Sequence, residues 1–365
     1  MSMKIIMVTP APPGSRKGNR VTALRWAKLL RELGHRVLIR QEYQGERADL
    51  LIALHARRSF AAIDAFRRAQ PARPIVLALT GTDLYEKIHT DPIAQQALEL
   101  ASRLVVLQPL AIKELPPHLR ARARVIYQSC QAPVRANRRA RIDHRKSRIA
   151  SKFAGPGDLR FPRFRSRSSF DVCVLGHLRP VKDPFRTARA ARLLPASSRI
   201  RVLHAGAALS PAMEKQARAE ERINPRYHWL GDLPHWKALR LLARSGLMVL
   251  SSHLEGGANT ISEAIAVGTP VLASRIPGSV GLLDDYYPGY FPVGDTAALA
   301  ALLSRAETDK AFYRELKGWC QGLDYLVRPF RELVRWRGLL RELELSRLRD
   351  SRTLQRSSRS TREGH

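Results

Sequence analysis

The feature that most restricts what this chain can fold into is a repeated alternation of short apolar runs with stretches of helical periodicity. KIIMV at 4–8 precedes 19–33, where apolar residues fall at 21, 24, 26, 29, 30 and 33, the spacing of one helix face. Gly34 then supplies a helix stop. RVLI (36–39), DLLIAL (49–54), PIVLAL (74–79), RLVVL (103–107) and RVIY (124–127) follow, with helical stretches at 59–69 and 92–101. Short runs without polar alternation, separated by helices, predict a parallel sheet covered on both faces. The pattern lapses over 131–169 and restarts with FDVCVLG (170–176), IRVLHAG (200–206), YHWLG (227–231), LMVLSS (247–252) and PVLAS (270–274). Helices are expected at 183–193, 210–222, 235–244, 260–267 and 295–305. A last helical region over about 307–345 is interrupted near 321–322 and at Pro329. The expected fold class is α/β, with two Rossmann-like doubly wound domains, 1–130 and 170–321, facing each other across a cleft. A basic linker at 131–169, a helical region at 322–345 and a tail at 346–365 complete the chain, linker and tail both expected to be disordered.

At 365 residues two domains are the natural division. The formal charge of +31 invites a nucleic-acid reading, so its location matters. The stretch 135–167 holds twelve Lys/Arg against two acidic residues, and 344–365 holds six Arg against three. Thirteen of the 31 charges thus lie in two segments poor in aromatics for base stacking, and no nucleic-acid motif accompanies them. A basic arm with a role of its own is the alternative for the linker. The excess charge would also attract acidic ligands in general. Cys130, Cys173 and Cys320 follow no metal or redox spacing; Cys173 sits within a strand-like run, and a reducing cytoplasm fits best. No apolar run reaches the length of a membrane span, and MSMKIIMVTPAPPG reads as a first strand rather than a secretory leader.

In doubly wound sheets, ligands bind beyond the carboxyl ends of the strands, at helix N-termini. After LMVLSS comes LEGGANTISEAIAVGTPVLAS, with Glu255 in the loop and Glu263 eight residues on. Gly256 and Gly257 permit close approach to a ligand. A helix start near Asn259 or Thr260 offers unpaired N–H groups suited to a phosphate or diphosphate. Glu263, in the first turn, would accept hydrogen bonds from sugar or ribose hydroxyls. Thr260-Ile-Ser-Glu263 also fits a capping box, which by itself would account for Glu263. GHLRPVKDP (176–184) brings His177, Arg179 and Lys182 to another strand end. In the first half, PAPPGSRKGNR (10–20), HARRS (55–59), TGTDLY (80–85), QPL (108–110) and QSCQ (128–131) follow strands. They present Asn19, Arg20, His55, Arg57, Arg58, Thr82 and Asp83. Arg58 also suits a solvated helix position, His55 a packed core, and Asp83 the cap of the turn after Thr82.

GHLRPVKDP, HWLGDLP and LEGGANTISEAIAVGTPVLAS together resemble the donor half of retaining-type GT-B glycosyltransferases of the family 4 kind. The resemblance implies that Lys182 and the N–H groups of Gly257, Ala258 and Asn259 bind the donor diphosphate. It implies further that Glu255 touches the sugar hydroxyls and Glu263 the ribose, with Gly18, Gly256 and Thr260 also on the donor side. That family usually carries arginine where His177 stands, and Arg179 can substitute. Over about 3–130 and 170–320 the chain further resembles the selenosugar synthases of selenoneine biosynthesis. That likeness implies transfer of the sugar of a UDP-sugar, UDP-N-acetylglucosamine by preference, to selenophosphate. A carbon–selenium bond forms, UDP leaves and phosphate is lost. Selenophosphate is anionic, so a cationic pocket of Arg20, His55, Arg57 and Arg58, with Asn19, Thr82 and Asp83, suits it better than a strong base. Arg179, Lys182, Glu255 and His55 are the expected catalytic groups, with no metal and no other cofactor. The alternatives are a family 4 type enzyme with an alcohol acceptor and, from another class, a nucleic-acid-binding protein.

Overall fold

The computed structural model describes residues 2–15, 18–85, 88–131 and 169–360. The basic linker, but for its end residues, lies outside the described residues, as do 361–365. The first sheet has the order β2-β1-β3-β4-β5-β6. Its strands are β1 (Lys4–Val8), β2 (Arg36–Arg40), β3 (Leu50–Leu54), β4 (Ile75–Leu79), β5 (Arg103–Val106) and β6 (Ala123–Val125). Helices α1 (Gly18–Glu32), α2 (Phe60–Ala69), α3 (Thr82–Tyr85) and α4 (Pro92–Leu100) connect them. The second sheet runs β12-β11-β10-β7-β8-β9. It comprises β7 (Phe170–Leu175), β8 (Ile200–Ala205), β9 (Tyr227–Trp229), β10 (Leu247–Leu250), β11 (Val271–Ser274) and β12 (Tyr290–Phe291). Its helices are α5 (Arg186–Arg192), α6 (Pro211–Ile223), α7 (His235–Arg244), α8 (Asn259–Val267), α9 (Pro277–Leu283), α10 (Thr296–Thr308) and α11 (Lys310–Gly322). Every pairing between these strands is parallel.

The reason is visible in burial. β3 and β4 are buried at all five positions, as only a strand covered on both faces can be. Local chemistry sets the helix starts: Asp91, Ser210, Asp295 and Asp309 cap α4, α6, α10 and α11. The helix expected at 183–193 begins only at Arg186, because Asp183 takes a left-handed conformation (φ 42°) that ends a short 3-10 turn over Pro180–Lys182. Cys173 is fully buried in β7, as the strand reading expects.

Strand order locates the site. The first sheet reverses direction between β1 and β3, the second between β7 and β10. The loops leaving those four strands carry Gly18 and Asn19, His55 and Arg58, His177 through Lys182, and Glu255 through Gly257. These are the topological switch points of both halves.

One element departs from expectation in two respects. α12 (Pro329–Ser360) continues as helix through 346–360, which the sequence reading places in a disordered tail. It also returns to the first domain, where Trp336, Leu339, Leu340 and Leu343 join the core of β1 and α1. Trp26 and Trp336 meet edge-to-face at 4.9 Å. The buried Glu332 carboxylate accepts from Trp26 Nε1 at 2.6 Å, from Arg25 Nε, and from the Ser129 amide at 3.0 Å and its hydroxyl. Among the described residues no helix is long and apolar enough to cross a membrane. Removing Glu332 leaves buried donors without an acceptor, so Glu332→Ala should lower stability by about 3–5 kcal/mol in urea unfolding. A loss below 1 kcal/mol would show that α12 does not hold the first domain in this way.

Candidate active site

The switch-point loops of both domains line one cleft with a cavity of about 680 Å³. From the first domain come Gly18, Asn19, His55 and Arg58; from the second, His177, Arg179, Lys182, Glu255, Gly256, Gly257, Asn259, Thr260 and Glu263. All were sequence candidates.

Glu255 is mostly buried in the loop after β10. Its Oε1 accepts from Ser252 Oγ at 2.7 Å and is also bonded by Lys182 Nζ. The lysine thus reaches the glutamate across the gap between the β7 and β10 loops. Four residues further, at Asn259, α8 begins. Its N-cap is Ala258, which has no side chain able to satisfy the helix amides. Thr260 lies inside the first turn, so the capping box that would explain Glu263 is not formed. Glu263 instead accepts from, or pairs with, His235 Nε2 at 2.9 Å. The bare helix start between Lys182 and Glu263 is chemically an anion seat.

On the β7 side, the amide of Ala207 donates to His177 Nδ1 at 3.1 Å. A ring that accepts at Nδ1 carries its neutral-form proton on Nε2, so His177 is a donor there. Behind it, the fully buried His204 lies 3.0 Å from Tyr227 Oη and 3.1 Å from the Gly176 carbonyl oxygen; burial lowers its pKa to about 4. This neutral histidine fastens the Gly176 turn to β8. Gly206 must lack a side chain, since a Cβ there would lie 1.8 Å from that same carbonyl oxygen.

Gly256 and Gly257 serve a purpose other than the one expected. A Cβ on Gly256 would lie 2.7 Å from the Gly81 nitrogen and 2.8 Å from the Thr80 carbonyl carbon; one on Gly257 would lie 2.5 Å from Leu107 Cβ. The pair is bare because the first domain packs directly against it. Close approach of the two domains is what the two positions provide.

The first-domain candidates divide. His55 holds φ 81°, a conformation uncommon outside glycine, at the end of β3. Its Nδ1 accepts from the Arg58 amide at 3.3 Å and lies 3.9 Å from Asp83 Oδ2. Burial lowers the His55 pKa, the Asp83 charge opposes that, and Arg58 adds to it. Asn19 Oδ1 accepts from Thr80 Oγ1 at 2.7 Å. Arg57, by contrast, turns to Asp91 at 3.3 Å and does not line the cleft. Asp83 is buried and structural: it accepts from the Ala56 amide at 3.0 Å and the Gly81 amide at 3.1 Å, tying two cleft loops together. Arg20 also stays off the cleft wall, with its Nε buried and unpartnered, and Ala258 is buried at the helix cap. Thr82 opens α3. The loop Asp232, Leu233, Pro234 and His235 lines the cleft and was not among the candidates. It follows β9, so the strand-end rule alone would have found it. Gln128 and Thr22 were missed as well.

Two six-stranded Rossmann-like sheets facing a cleft define the GT-B fold of glycosyltransferases. Residues 158–318 match the family model of glycosyl transferases, group 1. No curated protein matches the chain significantly. Among solved structures, Alr3699/HepE of Anabaena, in complexes with UDP and glucose and with UDP-glucose, is 16% identical. The match covers 93% of this chain and 100% of that one, with a TM-score of 0.67. Sucrose-phosphate synthase of Thermosynechococcus elongatus is 16% identical over 94% of this chain and 99% of its own, with a TM-score of 0.67. A UDP-forming α,α-trehalose-phosphate synthase of Burkholderia xenovorans, in complex with glucose-6-phosphate, is 14% identical, with coverage of 90% and 79% and a TM-score of 0.63.

Gly256→Ala should destabilise the seam by about 1–3 kcal/mol in chemical unfolding. Unchanged stability would mean that the two domains do not meet there in solution. His235 has its pKa raised above 6.5, first by the hydrogen bond to Glu263, against burial. A raised folded pKa contributes stability that is full below pH 6.5 and is lost as pH climbs through the folded value. In NMR titrations His235 should titrate above 6.5, and Glu263→Gln should bring it down; an identical midpoint in both proteins would remove the pair.

Proposed function

We propose that this chain is a glycosyltransferase that moves the sugar of a UDP-sugar, UDP-N-acetylglucosamine in the first instance, onto selenophosphate. The observation that carries the donor half is the uncapped start of α8, flanked by Lys182, Glu255 and Glu263 at the switch point of the second sheet. Diphosphate oxygens at the amides of Asn259 and Thr260 would draw Lys182 away from Glu255. The freed Glu255 carboxylate then accepts from sugar hydroxyls, and Glu263 exchanges His235 for the ribose. The UDP and UDP-glucose complexes of the Anabaena protein, which shares the fold, support a uridine nucleotide as the donor.

On the acceptor side, His55, Arg58 and the N-terminus of α1 at Gly18 and Asn19 make a wall of donors and positive charge. An anionic nucleophile such as selenophosphate needs to be held there more than deprotonated. Its selenium attacks the anomeric carbon, a C–Se bond forms, and the C–O bond to UDP breaks with its electron pair leaving on the diphosphate. The developing charge meets Lys182, Arg179, the His177 Nε2–H and the α8 amides. Water then cleaves the Se–P bond, giving phosphate and the selenosugar. Arg57 and Asp83 are removed from this pocket, since both are engaged elsewhere.

A second reading keeps the donor site and takes an alcohol as acceptor. His55 favours it: a cleft-lining imidazole whose pKa is lowered by burial is available in its neutral form, the form a general base requires. Incubation with UDP-N-acetylglucosamine and selenophosphate, thiophosphate or sugar alcohols, followed by mass spectrometry, separates the two. A selenium-bearing sugar is expected, and Arg58→Ala should lower kcat/KM for selenophosphate about tenfold or more. UDP release only with alcohols would establish the second reading, and no UDP release with any acceptor would defeat both.

A further inference from the structure

Gln128 lies just beyond β6, where the chain leaves the first domain, and is 3% exposed. Its Nε2 donates to Thr22 Oγ1 of α1 at 2.8 Å. Its Oε1 is buried with no hydrogen-bond partner, although the residue lines the cleft together with Thr22. A buried acceptor left without a donor is destabilising.

The chain around it is held fast. The next residue, Ser129, is bonded through both its amide and its hydroxyl to the buried Glu332. The amide of Cys130 donates to the Val327 carbonyl at 3.0 Å. Gln128 is thus clamped from the α1 side by Thr22 and from the α12 side through its neighbours. Nearby on the same wall, the Thr80 hydroxyl is committed to Asn19 Oδ1. A clamped acceptor in a ligand cleft is a preorganised contact.

We propose that Gln128 is a specificity-determining residue whose Oε1 accepts a hydrogen bond from a sugar hydroxyl of the ligand in the cleft. The inference rests on the glycosyl-transfer reading. The chemistry narrows the partner: an amide oxygen repels phosphate and selenophosphate oxygens and accepts from a donor such as a sugar O–H. A sugar nucleotide supplies that group from two places, the ribose and the transferred hexose. Gln128 therefore discriminates sugar from anion on the wall whose cationic residues favour anions.

The test is calorimetric titration of the full chain with UDP and with UDP-N-acetylglucosamine, in wild type and Gln128→Met. Methionine keeps the length and removes the acceptor. A weakening of about tenfold for both ligands supports the proposal with the ribose as partner. The same weakening for the sugar nucleotide alone supports it with the hexose as partner. Unchanged affinity for both overturns it. Gln128→Asn, which keeps the amide and withdraws it by one methylene, should show the same loss and serves if the methionine variant does not fold. If wild type binds neither ligand, the functional reading itself fails and takes this proposal with it.

Discussion

The cleft depends on a steric constraint at the domain seam. Gly256 and Gly257 meet the backbone of Thr80 and Gly81 and the side chain of Leu107 at distances that exclude any Cβ. A third glycine follows the same rule: at Gly281, in α9, a Cβ would lie 2.0 Å from Gln108 Oε1. Side-chain-free positions on the second domain thus receive the first domain's strand-end loops. This contact sets how far the α1 and α8 N-termini stand apart, and so fixes the size of the site between them. α12 adds a second tie by carrying Glu332 and Trp336 back into the first domain's core.

Within the cleft two charged groups of the donor side are already matched. Lys182 is bonded to Glu255, and His235 to Glu263. Each pairing holds both of its side chains in position. On the proposed function, an incoming diphosphate would compete for the lysine while sugar hydroxyls would compete for the glutamates. Binding would then be an exchange of partners, and a ligand with only one of the two chemistries would exchange only half of them. Anion and polyol recognition would be coupled through the Lys182–Glu255 pair.

Much of this was legible in sequence because its causes are local. Continuous apolar runs gave the strands, and the rule that ligands sit beyond strand ends led to Lys182, Glu255, Asn259, His55 and Arg58. The short strand β12 and the single-turn helix α3 carry too few residues to show a period. What failed has a non-local cause. Asp83 and Arg57 looked like cleft residues by position, and only the fold reveals that Ala56, Gly81 and Asp91 claim them. The glycine pair could be marked as a close approach, but the approaching atoms come from residues more than 140 positions away. The amphipathic pattern of α12 shows that one face is buried, not which domain buries it. Gln128 falls within a strand-end loop of the sequence, yet its orphaned oxygen appears only once Thr22 and Glu332 are in place.

The central claim, that a uridine diphosphate sits at the start of α8 by exchanging partners with Lys182, is tested most directly by a crystal structure with UDP bound. The account predicts diphosphate oxygens within hydrogen-bonding distance of the Asn259 and Thr260 amides. Lys182 Nζ should have moved from Glu255 to the phosphate, and the ribose should be on Glu263 in place of His235. A nucleotide seated elsewhere, or one bound at this helix with both Lys182–Glu255 and His235–Glu263 intact, would contradict it.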